Sequence, residues 1–167
     1  MSRPRSHFSL EPPVLRLKHD EPSPMKVSPQ SPKTIRMHVE EIAYHFKREM
    51  GFSFVQFEAS ETPDSPGFVP WEAYLFHERV YEKDSDINNI RIRCFGACCF
   101  RWREWTDMAA DWSLDWVWFH PYFRQKRHLT KAWCLFKQTY GGFHLAEPIS
   151  PSMKAFLEKV QPVRVAE

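Results

Sequence analysis

The segment WSLDWVWF, Trp112 to Phe119, constrains the fold more than any other part of this chain. Trp112, Leu114, Trp116 and Trp118 alternate with Asp115, Val117 and Phe119, so an extended backbone here carries large apolar groups on both faces. Such a strand keeps tryptophan and phenylalanine out of water only where both sides of its sheet are covered. The segment is therefore predicted to be the central strand of an α/β (α+β) domain.

The flanking patterns supply the covering layers. From Thr34 a helical period sets in, with Ile35, Val39, Ile42, Ala43, Phe46 and Met50 on one face, Thr34 as expected N-cap and Gly51 as the stop. FSFVQF reads as a short strand or turn, and ETPDSPGFVP as a loop. Two strand-like runs follow, Trp71 to Tyr81 and Ile90 to Trp102, separated by the turn-forming EKDSDINN. After the TDMAAD turn and the Trp-rich strand, Pro121 ends the extended run. A helix then places Leu129, Ala132, Trp133, Phe136 and Tyr140 on one side and stops at Gly141-Gly142. GFHLAEP reads as a short strand, and Ser150-Pro151 opens a last helix as N-cap and first helical residue.

Seven of the fourteen prolines precede position 33, so residues 1–32 are read as a flexible Pro/Ser-rich arm with room for one edge strand near Val14 to Leu17. Residues 33–167 form a single domain. With 43% hydrophobic and 16% aromatic residues, the chain can fill a core. Most tryptophans fall at core spacing, which favours packing over a base-stacking platform. Cys94, Cys98 and Cys99 sit in an alternating apolar run and, with Cys134, read as reduced thiols; no metal site is expected. The absence of a long apolar run and of a signal-peptide core predicts a cytoplasmic protein with no membrane partner. A formal net charge of +2 is too small to predict a nucleic-acid partner, so local charge decides.

Local charge concentrates in HPYFRQKRHLTKAW, residues 120–133. His120, Arg124, Lys126, Arg127 and His128 surround a strand-to-helix turn. His120 and His128 are eight residues apart with no carboxylate or thiolate at ligand spacing, which argues against a metal. Cations at a helix N-terminus oppose the helix macrodipole by a few tenths of a kcal/mol each, roughly, so their presence implies an anion nearby. Free backbone N–H groups, the positive dipole end and three cationic side chains together suit a phosphate or pyrophosphate at the carboxyl end of a strand.

The order strand, proline, two residues, arginine, basic turn and amphipathic helix resembles the acetyl-CoA signature of the GCN5-related N-acetyltransferases, whose pattern is Arg or Gln, two residues, Gly, one residue, Gly or Ala. Here it runs Arg124-Gln125-Lys126-Arg127-His128-Leu129, with Arg127 and Leu129 where the family keeps small residues. A similar glycine-poor loop occurs in the cohesion-establishment acetyltransferases. The resemblance covers roughly Thr34 to Val160. It implies a mixed, mostly antiparallel sheet flanked by helices, and acetyl-CoA as cofactor. The backbone of Val117, Trp118 and Phe119 would bond the pantetheine arm; Arg124, Gln125, Lys126, Arg127, His128, Leu129 and Thr130 would hold the pyrophosphate.

The implied reaction is attack of an amine on the thioester, which needs a base and a donor to the departing thiolate. Asp115, His144 and Glu147 are candidate bases, Glu147 first, and Tyr140 and Ser150 candidate donors. Three of them have a bland alternative: Asp115 pairing with Arg101 or Arg103, His144 as a structural strand residue, Ser150 as an N-cap. The resemblance implies an amine of a small molecule or protein as acceptor, and the family's usual C-terminal strand pair would be missing or reduced to PVRVA, which leaves room for a homodimer. The competing reading is a non-catalytic module of the same fold that holds nucleic acid or an acidic protein through the basic loop and Arg3, Arg5, Arg16 and Lys18.

Overall fold

The computed structural model describes residues 12–80 and 90–160. Six strands form one mixed, mostly antiparallel sheet: β1 (Val14–Leu17), β2 (Met25–Val27), β3 (Trp71–Arg79), β4 (Ile90–Arg103), β5 (Asp111–Phe119) and β6 (His144–Leu145). The path runs β2-β3-β4-β5-β6, and only the β5–β6 pairing is parallel. Helix α1 (Lys33–Met50) covers one face; α2 (His128–Tyr140) and α3 (Pro151–Val160) cover the other. Among the described residues no helix is long and apolar enough to cross a membrane.

The sequence places β5 at the centre, but the structure gives that position to β4. Its fourteen residues pair with β3 along one edge, and with β5 and then β1, end to end, along the other. Length and flanking partners decide centrality, and apolar faces alone do not report either. Where β5 leaves β4, the His120 amide donates to the Phe95 carbonyl at 2.8 Å. One residue earlier on β4, the Cys94 amide donates to Pro13 at 2.8 Å, so β1 starts where β5 ends. The stretch read as an arm with one edge strand thus supplies two strands, β1 and β2, from residue 12 onward; Arg3 and Arg5 lie outside the described residues.

Helix α1 starts two residues earlier than an N-cap at Thr34 implies, with Pro32 at the N-cap and no side-chain cap, and it stops at Gly51, which takes φ 74°. That left-handed conformation is what glycine offers at a helix end. Between Met50 and Trp71 no strand forms, so FSFVQF is irregular backbone. The EKDSDINN turn and PVRVA lie outside the described residues.

Two cores flank the sheet. Val39, Ile42 and Ala43 of α1 pack on Ala97, Cys99, Trp116 and Trp118. On the other face Ala132, Trp133, Phe136 and Tyr140 of α2 pack on Tyr74, Cys98, Phe100 and Leu114, with Phe156 of α3 5.0 Å from Trp133. Cys94, Cys98 and Cys99 are buried free thiols, as their apolar surroundings predict. Burial pushes the Cys94 and Cys99 thiols up to about 12, so they behave as small core hydrophobes.

Candidate functional site

The alternation read from WSLDWVWF is interrupted in the middle. Cys99 pairs with Trp116 and Phe100 with Leu114, which leaves Asp115 as an extra residue on β5. A bulge of this kind shifts the alternation by one residue. Leu114 and Trp112 therefore pack with α2, whereas Trp116 and Trp118 pack with α1. The same place ends the parallel ladder: β6 pairs with Ser113 and Leu114 only, and the Ala146 amide reaches the Leu114 carbonyl at 3.0 Å. From Asp115 to Phe119 the strand pairing of β5 among the described residues is with β4 alone.

Val117, Trp118 and Phe119 lead from that divergence into the basic turn. Pro121–Phe123 forms one turn of 3-10 helix, in which the His120 ring Nδ1 accepts from the Tyr122 amide at 3.3 Å. Phe123 stacks on Phe95, ring centres 4.3 Å apart, and anchors the turn to β4. Gln125 and Arg127 then take φ 61° and 64°. For residues with a Cβ this left-handed conformation costs roughly 1–2 kcal/mol each. Arg127 is also the N-cap of α2, makes no side-chain cap, and stands where the signature carries its first glycine. The sequence showed a missing glycine; the backbone adopts the glycine conformation regardless.

The turn exposes cations, and among the described residues no side chain accepts from the first α2 amides. Arg124, Gln125, Lys126 and Arg127 are exposed, and His128, Leu129 and Thr130 half-buried. The first turn of α2 has no acidic residue. Lys126 Nζ sits 5.4 Å from the centre of the Phe123 ring. Burial, aided by the Lys131 charge, holds the His128 imidazole below its ordinary value, so His128 contributes no full charge near neutrality.

Arg124 points elsewhere. Its Nη1 and Nη2 donate to Glu49 Oε1 and Oε2 of α1 at 2.9 and 2.6 Å, and its Nε donates to the Phe119 carbonyl at 2.9 Å. The Trp118 indole N–H donates to the same Glu49 carboxylate. The Trp118 ring is stacked with His45 of α1 at 5.0 Å, and the Arg124 guanidinium lies over it at 5.6 Å. Neither Glu49 nor His45 stands out as a site residue in the sequence. The available signal for Glu49 is its place in the last turn of α1, where a carboxylate opposes the helix dipole.

The candidate bases and donors do not converge. Asp115 faces the 51–70 segment, its Oδ2 2.6 Å from Arg103 Nη2 and 3.3 Å from Arg101 Nε. Arg101 is held in turn by Glu61 Oε2 at 2.9 Å and the Gln56 carbonyl at 3.1 Å. Burial raises the Asp115 carboxyl above its usual value, opposed mainly by the Arg103 charge. Tyr140 lies on the other face of the sheet, where its hydroxyl donates to Glu72 and sits 2.9 Å from the Tyr74 hydroxyl. Burial and the Glu72 bond push its phenol up, so it stays protonated with that proton already engaged. Ser150 caps α3 by accepting the Met153 amide at 3.1 Å. Glu147 is exposed between β6 and α3, and His144 packs edge-on against Trp105 with Asp111 4.0 Å away.

No protein-family model and no curated protein matches the chain. Among solved structures, the chain is similar to one described as the xEco2 acetyltransferase domain bound to a CoA conjugate. The match has 14% identity and a TM-score of 0.49, and it covers 91% of this chain and 89% of that one.

Proposed function

We propose that this chain is an acetyl-CoA-dependent N-acyltransferase. The observation that carries the reading is Arg127, a residue with a Cβ held at φ 64° as the uncapped start of α2, at the end of a strand whose parallel neighbour has already diverged. Strain of this sort persists where the surrounding structure enforces it, and a helix start with no side-chain cap from Arg127 and no acidic residue in its first turn suits a bound pyrophosphate.

The residues fit the cofactor in three places. Backbone amides from Gln125 to Thr130, with Lys126 and Arg127, would hold the phosphates; among the described residues neither cation is in an ion pair. The Val117 to Phe119 backbone would orient the pantetheine arm along β5, beyond the reach of the β6 ladder. Acetyl-CoA, when bound, supplies an activated thioester. An acceptor amine then forms a C–N bond as the C–S bond breaks, the amine proton passing to a base and the thiolate taking a proton. Glu147 is the exposed carboxylate nearest in sequence to the divergence and is assigned the first of these. Ser150 is assigned the second, because its oxygen accepts from Met153 and, among the described residues, its hydroxyl donates to no other group.

Isothermal titration with acetyl-CoA tests the reading. Binding tighter than millimolar is expected, weakened severalfold when Lys126 and Arg127 are both changed to alanine. Absence of binding at millimolar cofactor would overturn it. Binding of an oligonucleotide with a steep salt dependence in its place would identify a charge-reading module instead.

A further inference from the structure

Each of the two helix ends that meet at Trp118 includes a charge that opposes its dipole, although Lys47 and Arg48 in the last turn of α1 have the favourable sign. Arg124 and its cationic neighbours precede the positive N-terminus of α2, and Glu49 sits in the last turn of α1, at its negative C-terminus. Each placement alone is unfavourable. Together they form a two-pronged ion pair, 2.9 and 2.6 Å, closed on one side by the Trp118 indole N–H and on the other by the Phe119 carbonyl. Part of the anion implied by the basic turn is thus supplied by the chain itself.

We infer that Glu49 is a positioning residue for the phosphate loop, acting through Arg124, and that Arg124 is a brace rather than a phosphate ligand. Three of the five guanidinium N–H donors are already committed, one of them to the strand that ends in the loop. The residue that follows, Gln125, is the first of the two in the left-handed conformation. Such a turn relaxes to ordinary negative φ unless it is fixed at its base, and the Glu49–Arg124–Phe119 contacts fix it there. The contacts of the Trp118 ring with His45 and with Arg124 add stiffness from the α1 side.

The inference rests on the anion-binding reading of the loop, and it makes a prediction opposite in sign to simple electrostatics. Removing a carboxylate beside an anion site should strengthen anion binding and, at a helix C-terminus, slightly steady α1. A brace predicts the reverse. The experiment compares the full chain with Glu49→Gln by amide hydrogen exchange without ligand and by titration with coenzyme A. Expected are faster exchange across 124–130, by about fivefold for a half-exposed charge-assisted pair, and a comparable loss of coenzyme A affinity. A Gln125→Gly change in the Glu49→Gln background, which removes the conformational penalty without altering charge, should recover most of both; a general loss of stability would not be rescued this way. Unchanged exchange, a gain in affinity, or failure of the glycine rescue overturns the brace. If no variant binds coenzyme A, the cofactor reading falls while the exchange data still decide the role of Glu49.

Discussion

Asp115 and Arg101 form a buried ion pair at the bulge of β5, Oδ2 to Nε 3.3 Å, with both side chains only 10% exposed. Arg103 adds a bond of 2.6 Å to the same oxygen, and Oδ1 is buried without a hydrogen-bond partner among the described residues. The extra residue that breaks the strand's alternation is therefore a carboxylate that two neighbouring arginines hold in place.

Asp115→Asn should cost about 2 kcal/mol, less than the full loss of a buried pair because Arg101 keeps Glu61. Urea denaturation measures it. The same variant separates the roles of the carboxylate. A structural Asp115 leaves the turnover of the folded fraction intact, whereas loss of turnover by more than about a hundredfold would make it the base.

Tyr140→Phe removes the donor to Glu72 and leaves the buried Tyr74 hydroxyl without its partner, while Glu72 keeps Lys26 at 2.9 Å. A loss of about 1–2 kcal/mol is expected in thermal or urea unfolding. Acetyl transfer should persist, because the phenol is committed away from β5; its abolition in a folded variant would restore Tyr140 as the thiolate donor.

Gly96 lies under the Phe119 ring, and a Cβ there would overlap the ring and stand 3.0 Å from the Trp118 carbonyl. Gly96→Ala should destabilise the fold by roughly 1–3 kcal/mol. It should also weaken cofactor binding, because Phe119 both precedes the turn and accepts the Arg124 bond. Unchanged calorimetric midpoint and affinity would mean that the ring moves aside freely.

Stability should fall in mild acid. Burial holds the imidazoles of His38, His45 and His77 below their ordinary value. Below about pH 6.5 the unfolded chain then binds more protons than the folded one. The contribution is complete above that pH and is lost as pH falls through the lower folded values. Asp115, raised by burial, acts in the opposite sense but only near the carboxylate range. Urea midpoints should decline from pH 7 to 5 and flatten in a His45→Gln, His77→Gln variant; a flat wild-type profile would contradict this.

Helix periods and stops were legible because they are local. The faces of α1 and α2 and the halt of α1 at Gly51 follow from residue spacing and backbone preference. Less was legible of the strands. Val14 to Leu17 reads as an edge strand, yet the three residues of β2 carry too little pattern to be seen beside their prolines. The bulge at Asp115 leaves no local mark either. It is a property of the register against β4, which only the paired strand defines.

The candidate site divides in the same way. Sequence alone determined that cations precede a helix start at the end of an apolar strand, and dipole physics raised the expectation of an anion there. Tertiary structure alone decided which anion Arg124 meets, because Glu49 is 75 residues away and reaches it only when α1 lies across Trp118. It also decided that Arg127 takes a left-handed conformation that favours glycine. Local propensity opposes that choice, while Phe123 and Arg124, just before it, are held by Phe95, Phe119 and Glu49.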